Sequence, residues 1–334
     1  MNQRHFFEEI RRIINVQKES VFKSRIADLL EISESGAYKK INGITQLSVD
    51  EADKICKQLN LKFSLLEGQG GGLKHPFLFY CDDLIAPPPT YEQWASNILN
   101  HSIQLNKYRS TYKIWSYQSE ISYFHMMPFR NLLYFKLYAW NRSSWQIPSD
   151  SKFSISEFET NYALNSLIHQ IHEHFVSYES KEIWHVDFFN DLLNQIKYYN
   201  QLGIFERQND LKLLFKDLRN LIRHLDKIAQ GGFKKALGKK EDFSAVDIYL
   251  NYTHTSSSIM FIKAPDFKMI YNLFLHPNYI RTQDKDVCDY TERWINKIIS
   301  QSELISGTGE LARSHFIKGL DDKVNSLEND LLTN

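Results

Sequence analysis

The sequence predicts an α+β protein, mostly α: an N-terminal all-α helix-turn-helix domain and a larger, mainly helical body with a small β-sheet. Three observations predict it. Apolar residues recur at helical spacing along much of the 334-residue chain, beginning with Phe6, Ile10, Ile13 and Ile14. Gly68-Gln69-Gly70-Gly71-Gly72 and Pro87-Pro88-Pro89 break the pattern early, as a flexible and then a stiff connector. Short runs of β-branched and aromatic residues, the mark of strands, occur at 111–124 and again beyond residue 245. The breaks divide the chain into a first domain at 1–67, a linker at 68–89 and a body at 90–334.

Composition narrows the function classes. The chain is 43% hydrophobic, 24% charged and 14% aromatic, which argues against long disordered tracts. Its formal net charge is zero, unlike a protein that coats nucleic acid non-specifically, yet a site-specific reader needs only a local basic face. Cys56, Cys81 and Cys288 are scattered and form no CxxC pair, so no zinc ribbon, metal or disulfide framework is expected. No signal-length apolar run opens the chain, and no stretch nears the ~20 apolar residues of a membrane span. A cytoplasmic location with no membrane partner follows as the expectation.

The first domain reads as a series of short helices. Asn2 to Val16 forms the first, and Ser24 to Leu30 the second, with Ile26, Leu29 and Leu30 inward and small Ala27 allowing close approach. Ile32 buries in the turn. Ser33 N-caps a third helix whose inner side is Ala37 and Ile41, and Asn42-Gly43 stops it. Ser48-Val49-Asp50-Glu51 is a capping box opening a fourth helix with Ala52, Ile55, Cys56 and Leu59 on one face. Leu61, Phe63, Leu65 and Leu66 close the domain.

In the body, Thr90 with Gln93 reads as a capping box for a helix reaching Asn106. Residues 111–124 read as one or two strands. Met127 to Trp140 is hydrophobic nearly all round, hence a buried helix, with Pro128 in its first turn. Ser154 with Glu157 reads as a third box, starting three long helices that run to about Gln230 with breaks near Glu179 and Gly203. Gly231 to Asp242 is a basic, polar loop. Strands are expected at 246–250, 259–263 and 268–275, then a helix bearing Val287, Tyr290, Trp294 and Ile298. The last helix carries a stripe of Phe316, Leu320, Val324, Leu327 and Leu331.

One constellation has a mechanism attached. In a helix-turn-helix the second helix enters the major groove, which is wide enough for it and whose base edges carry a full code. Here its outward residues are Glu34, Ser35, Tyr38, Lys39 and Asn42. Lys39 suits a guanine or a phosphate, and Tyr38 a thymine methyl or a phosphate. Glu34 suits cytosine N4, or else repels phosphates where the fit is wrong. Ser24, read at the start of the preceding helix, is placed to donate to a phosphate with the amides there. Lys23, Arg25, Lys40, Thr45 and Gln46 are placed to grip the backbone nearby.

Ile26-Ala27-Asp28-Leu29-Leu30, Ile32-Ser33 and Ser35, then Asn42-Gly43, then Leu47-Ser48, Asp50-Glu51-Ala52 and Lys54-Ile55 together resemble the Cro/lambda-repressor (XRE) class of helix-turn-helix regulators. Glu31 stands where that class often has glycine, and Ala37 where it usually has a β-branched residue. The resemblance covers roughly the first fifth of the chain. Phe129 to Trp140 and Trp294 to Phe316, with Leu304-Ile305-Ser306-Gly307, resemble the bodies of uncharacterised Bacteroidetes-type regulators.

Other constellations point less far. His169 with His172, and His169 with Glu173, share a helix face and form at most an incomplete metal set. Thr253 to Ser258 is a hydroxyl-rich turn without a nucleophile elbow. Acids at Asp82 and Asp83 disfavour a reactive thiol at Cys81. The glycine run lacks a phosphate-loop pattern. The aromatics of 112–145 line either a ligand pocket or a core.

The function expected is a transcriptional regulator that binds double-stranded DNA as a homodimer and needs no cofactor. Its body would answer an unknown small-molecule or protein effector, and its last helix is the expected source of pairing. The alternative is an enzyme or protein-interaction module targeted by the same head, although no spaced catalytic set supports an enzyme.

Overall fold

The computed structural model describes residues 3–59, 61, 77, 79–81, 86–106, 112–149, 152–236, 243–253 and 257–332. The Gly68–Gly72 linker and the closing residues Phe63, Leu65 and Leu66 lie outside them. The fold is α+β and mostly α, with thirteen helices and a seven-stranded mixed sheet among the described residues. Two compact units divide the chain. The first takes Met1–Tyr80, Phe267–Met269 and Arg281–Thr291; the second takes Cys81–Asp266, Ile270–Ile280 and Glu292–Asn334. The main division thus falls within the 68–89 stretch, but the first unit also claims two segments that the sequence assigned to the body.

In the first unit, α1 (Gln3–Ile13), α2 (Glu19–Leu30), α3 (Glu34–Ile41) and α4 (Val49–Gln58) enclose Phe6, Phe7, Ile10, Phe22, Ile26, Ala37 and Ile55. Helix α2 begins five residues before the expected Ser24. Phe22 is the reason: it lies one turn before Ile26 on the same face and is buried with it. Ala37 is fully buried, so α3 approaches α2 with little side chain between them. Glu31 turns the chain between them at φ 57°, a left-handed conformation that costs a non-glycine residue about 1 kcal/mol. Its carboxylate pairs with Lys54 at 2.9 Å.

Local caps hold as read. Ser33 Oγ accepts from the Gly36 amide at 3.2 Å, and Gly43 leaves α3 at φ 70°. The Ser48–Glu51 box closes in both directions. Ser33→Ala removes the α3 cap, and circular-dichroism melts are expected to show about 1 kcal/mol lost from the first unit. The other two boxes form partly or not at all. Thr90 Oγ1 accepts from the Gln93 amide at 3.1 Å, but the Gln93 side chain bonds Asn97 instead. Ser154 makes no cap bond and meets the Ser156 hydroxyl at 2.9 Å.

The remaining elements are α5 (Tyr91–Asn106), β1 (Lys113–Gln118), α6 (Tyr123–Met126), α7 (Arg130–Ser143), α8 (Ile155–Glu159), α9 (Tyr162–Val176), β2 (Ser180–His185), α10 (Asn190–Gln201), α11 (Gln208–Gly231), β3 (Val246–Asn251), β4 (Ile259–Lys263), β5 (Lys268–Leu273), β6 (Tyr279–Thr282), α12 (Lys285–Ser300), β7 (Glu303–Leu304) and α13 (Glu310–Leu332). The sheet order is β6-β5-β4-β1-β2-β3-β7. Strands β1, β2 and β3 run parallel, with Ile114 opposite Ser180 and Ser180 opposite Val246; β4 runs antiparallel to β1.

Strand β2 corrects the expectation of helices alone between Ser154 and Gln230: the break expected near Glu179 is the start of a strand. Ser180-Lys181-Glu182-Ile183-Trp184-His185 lies in the middle of the sheet and is buried along nearly its whole length. A strand covered on both faces shows no polar–apolar alternation, and Glu182 and His185 disguise it further. Helix α7 starts at Arg130, with Pro128 in the turn before it, and all residues from Leu132 to Asn141 are buried, as its all-round hydrophobicity implies. The stripe of α13 is buried too: Phe316, Leu320, Val324 and Leu327 belong to the core of the second unit, packed with α10 and α11. That stripe is buried within the chain. No helix among the described residues is long and apolar enough to cross a membrane.

Candidate functional site

The geometry around α3 starts from Gln3. Its side-chain amide donates to the Lys40 and Thr45 carbonyls at 2.6 and 2.7 Å and accepts from the Leu47 amide at 2.8 Å. Arg4 Nε donates to the Asn42 carbonyl at 3.0 Å. The start of α1 thereby pins the end of α3 and the loop after it, which is how a short helix of eight residues keeps a fixed outward face.

Ser35, Tyr38 and Lys39 are exposed on that face, with Tyr38 48% exposed. Lys39 and Arg25 make no ion pair with any described residue. Lys23 Nζ meets Glu34 Oε2 at 2.8 Å. That hydrogen bond and the Lys23 charge hold the Glu34 carboxyl below its ordinary range, so Glu34 is ionised and Lys23 is its counter-charge. Lys40 is half-buried and donates to Glu51 and to the Gln46 carbonyl, both at 2.9 Å. Its ammonium braces α3 against α4, and reaching a phosphate would cost those bonds. Asn42 Nδ2 donates to the Tyr38 carbonyl at 3.0 Å. Thr45 and Gln46 are exposed.

Ser24 is placed differently from its reading. It is the sixth residue of α2 and not its start, so its own amide lies within the helix and the open amides sit near Glu19. Arg25 is exposed and helps line a cavity of ≈ 210 Å³ together with Ile13, Ile14, Gln58 and Leu59. Among the described residues Lys39 and Arg25 therefore stand outside any ion pair, beside the matched pairs Lys23–Glu34 and Lys40–Glu51.

The weaker constellations come apart. His172 is buried, whereas His169 stays at the surface, 3.6 Å from Glu173. Among the described residues no group of three His, Cys, Asp or Glu side chains can hold a metal. In the hydroxyl-rich turn residues 254–256 lie outside the described set; Thr253 Oγ1 bonds Asn251 and Ser257 bonds Asn272. The aromatics of 112–145 are largely core: the Trp140 ring lies 5.8 and 5.9 Å from those of Trp94 and Trp145.

Two polar clusters in the second unit escaped the sequence reading. In the first, the buried Glu182 accepts from His125 Nε2 at 2.7 Å, Trp184 Nε1 at 3.0 Å and Gln118 Nε2 at 3.1 Å. Lys234, fully buried, donates to the Phe175 and Tyr178 carbonyls at 3.0 and 2.9 Å. In the second, Lys136 Nζ donates to Gln195 Oε1 at 2.9 Å and lies 3.8 Å from Glu120, with His276 Nε2 2.9 Å from the same carboxylate. Burial pushes the Glu120 carboxyl up to about 7 against the pull of Lys136, and burial pushes the Lys136 ammonium down. The available signal was a charge inside an apolar run: Lys136 within Leu132 to Trp140, and Glu182 beside Ile183-Trp184.

No protein-family model, no curated protein and no solved structure matches this chain.

Proposed function

We propose that this protein is a cytoplasmic, sequence-specific regulator of transcription that binds double-stranded DNA as a homodimer through α3, with a body that answers an effector. One observation carries the reading: α3 is capped by Ser33 and buried through Ala37, while Ser35, Tyr38 and Lys39 project from a face held by Gln3 and Arg4. A helix fixed in this way suits the major groove, where its N-terminal half meets base edges. Its resemblance to the XRE class points the same way. Lys39 and Arg25 supply the local positive charge that a neutral chain otherwise lacks. A single head reads only a short half-site, so specificity calls for two heads about one DNA turn (~34 Å) apart. With the apolar stripe of α13 buried in the second unit, pairing through the last helix would have to use its other faces.

The test is selection from random duplexes followed by gel-shift titration over a range of salt. The expected result is a two-fold symmetric site. Lys39→Ala is expected to weaken all sites alike and to lower the salt slope by about 1. Tyr38→Ala is expected to weaken the selected site by about tenfold while leaving non-specific binding unchanged. A folded protein that binds no duplex at low salt would overturn the reading.

A further inference from the structure

We propose that the second unit binds a small carboxylate at the carboxyl edge of β1, held by Lys136, Trp140 and His276 with Glu120 beside them. The inference rests on the regulator reading only in making this ligand the effector; the site itself is argued from the body alone.

Topology places the site. Strands β1, β2 and β3 are parallel and follow one another across the sheet, after which the chain returns to lay β4 on the other side of β1. The strand order therefore reverses at β1, and in open α/β sheets ligands collect outside the strand ends at such a reversal. Glu120 follows the last residue of β1 by two positions. Ser258, just before β4, meets Ser119 there, hydroxyl to hydroxyl at 3.0 Å. The Leu273 amide bonds the Ser258 carbonyl, so the turn after β5, which carries His276, lies at the same edge. Lys136 comes from α7 and Gln195 from α10. Four separate elements thus deliver polar groups to one place.

These groups are under-satisfied. A buried ammonium has three donors, and among the described residues Lys136 hydrogen-bonds only Gln195; at 3.8 Å, Glu120 is too far for another. Trp140 is 2% exposed and its indole N–H has no hydrogen-bond partner. Neither ring nitrogen of His276 is hydrogen-bonded either; its approach to Glu120 is close but not aligned for one. Lys136 lies 5.4 Å and the His276 ring 5.1 Å from the Trp140 ring, so the unspent donors share one locality. Buried polar atoms without partners are rare and call for an occupant.

The chemistry of the donors selects its class. Unspent N–H groups on Lys136, Trp140 and His276 call for an acceptor, and the Lys136 charge calls for an anion. A cation would have to displace Lys136. A phosphate dianion would bring a second negative charge toward Glu120 and Asp191, which already act on one another. A monocarboxylate matches this donor set in charge and in accepting capacity, since a carboxylate takes two parallel N–H bonds. The partly exposed members of the group are His276 and Glu120, whose side chains are 26% and 14% exposed.

The site is linked to protons through Glu120. The groups acting on it are Lys136 from α7, Asp191 from α10, and His276 and Tyr279 from the β5–β6 segment. An ionised Glu120 repels the ligand, whereas a protonated one adds a donor. Binding therefore tightens as pH falls through about 7.

The experiment is calorimetric titration of the full chain, without DNA, with acetate, pyruvate and benzoate at pH 6 and pH 8, with phosphate and methylammonium as comparison probes. The expected result is saturable one-to-one binding of at least one carboxylate, about tenfold tighter at the lower pH. Glu120→Gln should retain binding and lose the pH dependence. His276→Ala should weaken it about tenfold or more. The inference is overturned if no carboxylate saturates, if methylammonium or phosphate binds as well, or if affinity in folded Glu120→Gln still follows pH. Because no DNA is present, failure here leaves the operator reading standing, and a protein that binds no duplex can still bind the carboxylate.

Discussion

Glu182→Ala is expected to cost the second unit about 3–5 kcal/mol, the cost of breaking a buried charged network by removing one member. Glu182 is 1% exposed and its carboxylate is the common acceptor for His125, Trp184, Gln118 and the Ser180 hydroxyl. Burial alone would push its carboxyl up; the His125 and Lys234 charges and the Trp184 and His125 hydrogen bonds outweigh this and bring it down to about 2. Alanine leaves His125 Nε2 and the Trp184 indole without an acceptor and Lys234 without its counter-charge, while Gln118 keeps its bond to Ser116. Lys234 is already pushed down to about 8 by burial, against the pull of Glu182. Urea unfolding followed by far-ultraviolet circular dichroism measures the loss, and Glu182→Gln, which keeps the shape and one acceptor oxygen, should lose clearly less. A loss below about 1 kcal/mol for alanine, the scale of one ordinary hydrogen bond, would mean that the network contributes no more than that.

Acid is expected to unfold the same unit as pH falls from about 6.5 toward 4. Burial and neighbouring charge hold His172 down to about 4 and His224 down to about 3, so both are neutral in the folded chain. His125 is among the charges acting on each of them. The sign follows from linkage. Below pH 6.5 the unfolded chain takes up protons that these folded imidazoles refuse, so their contribution is complete above pH 6.5 and is lost as pH drops toward their folded values. A shift like that of His172, from 6.5 to about 4, corresponds to about 3 kcal/mol at most. Glu120 works in the opposite sense. Its folded value, about 7, lies above the ordinary 4.5, so its ionisation costs stability as pH rises through that interval and its protonation restores it on the way down. Urea midpoints from pH 7.5 to 4.5 should therefore decline, more steeply in Glu120→Gln and less steeply in His172→Leu. A midpoint that stays level across this range in Glu120→Gln would show that the imidazoles carry no such penalty.

The first unit was legible because its determinants are local. Ser33 and Ser48 cap helices through amides three residues away, Gly43 ends α3 by its own left-handed backbone, and Phe6, Ile10, Ile26 and Ile55 lie on stripes of period 3.6. The misjudged start of α2 came from a tertiary cause, the burial of Phe22. Site residues divide along the same line. That Ser35, Tyr38 and Lys39 face outward follows from helix periodicity once Ala37 faces in. That Lys40 is spent on Glu51 and Gln46, and Lys23 on Glu34, depends on where neighbouring helices lie.

By itself, then, the sequence determined the class of fold, the helical head with its outward α3 face, and most of the body's helices and later strands, because short-range spacing and capping suffice for those. Tertiary structure alone decided the rest. Strand β2 is a strand because it pairs with β1 and β3 on either side, and its buried Glu182 is tolerated because it finds donors at Gln118 and His125, about sixty residues back along the chain. The α13 stripe packs into the core of the second unit. Glu120, Lys136 and His276 become one site only when the chain returns past β1. Buried charge is tolerated only where partners converge on it, and no window of sequence contains partners that lie so far apart.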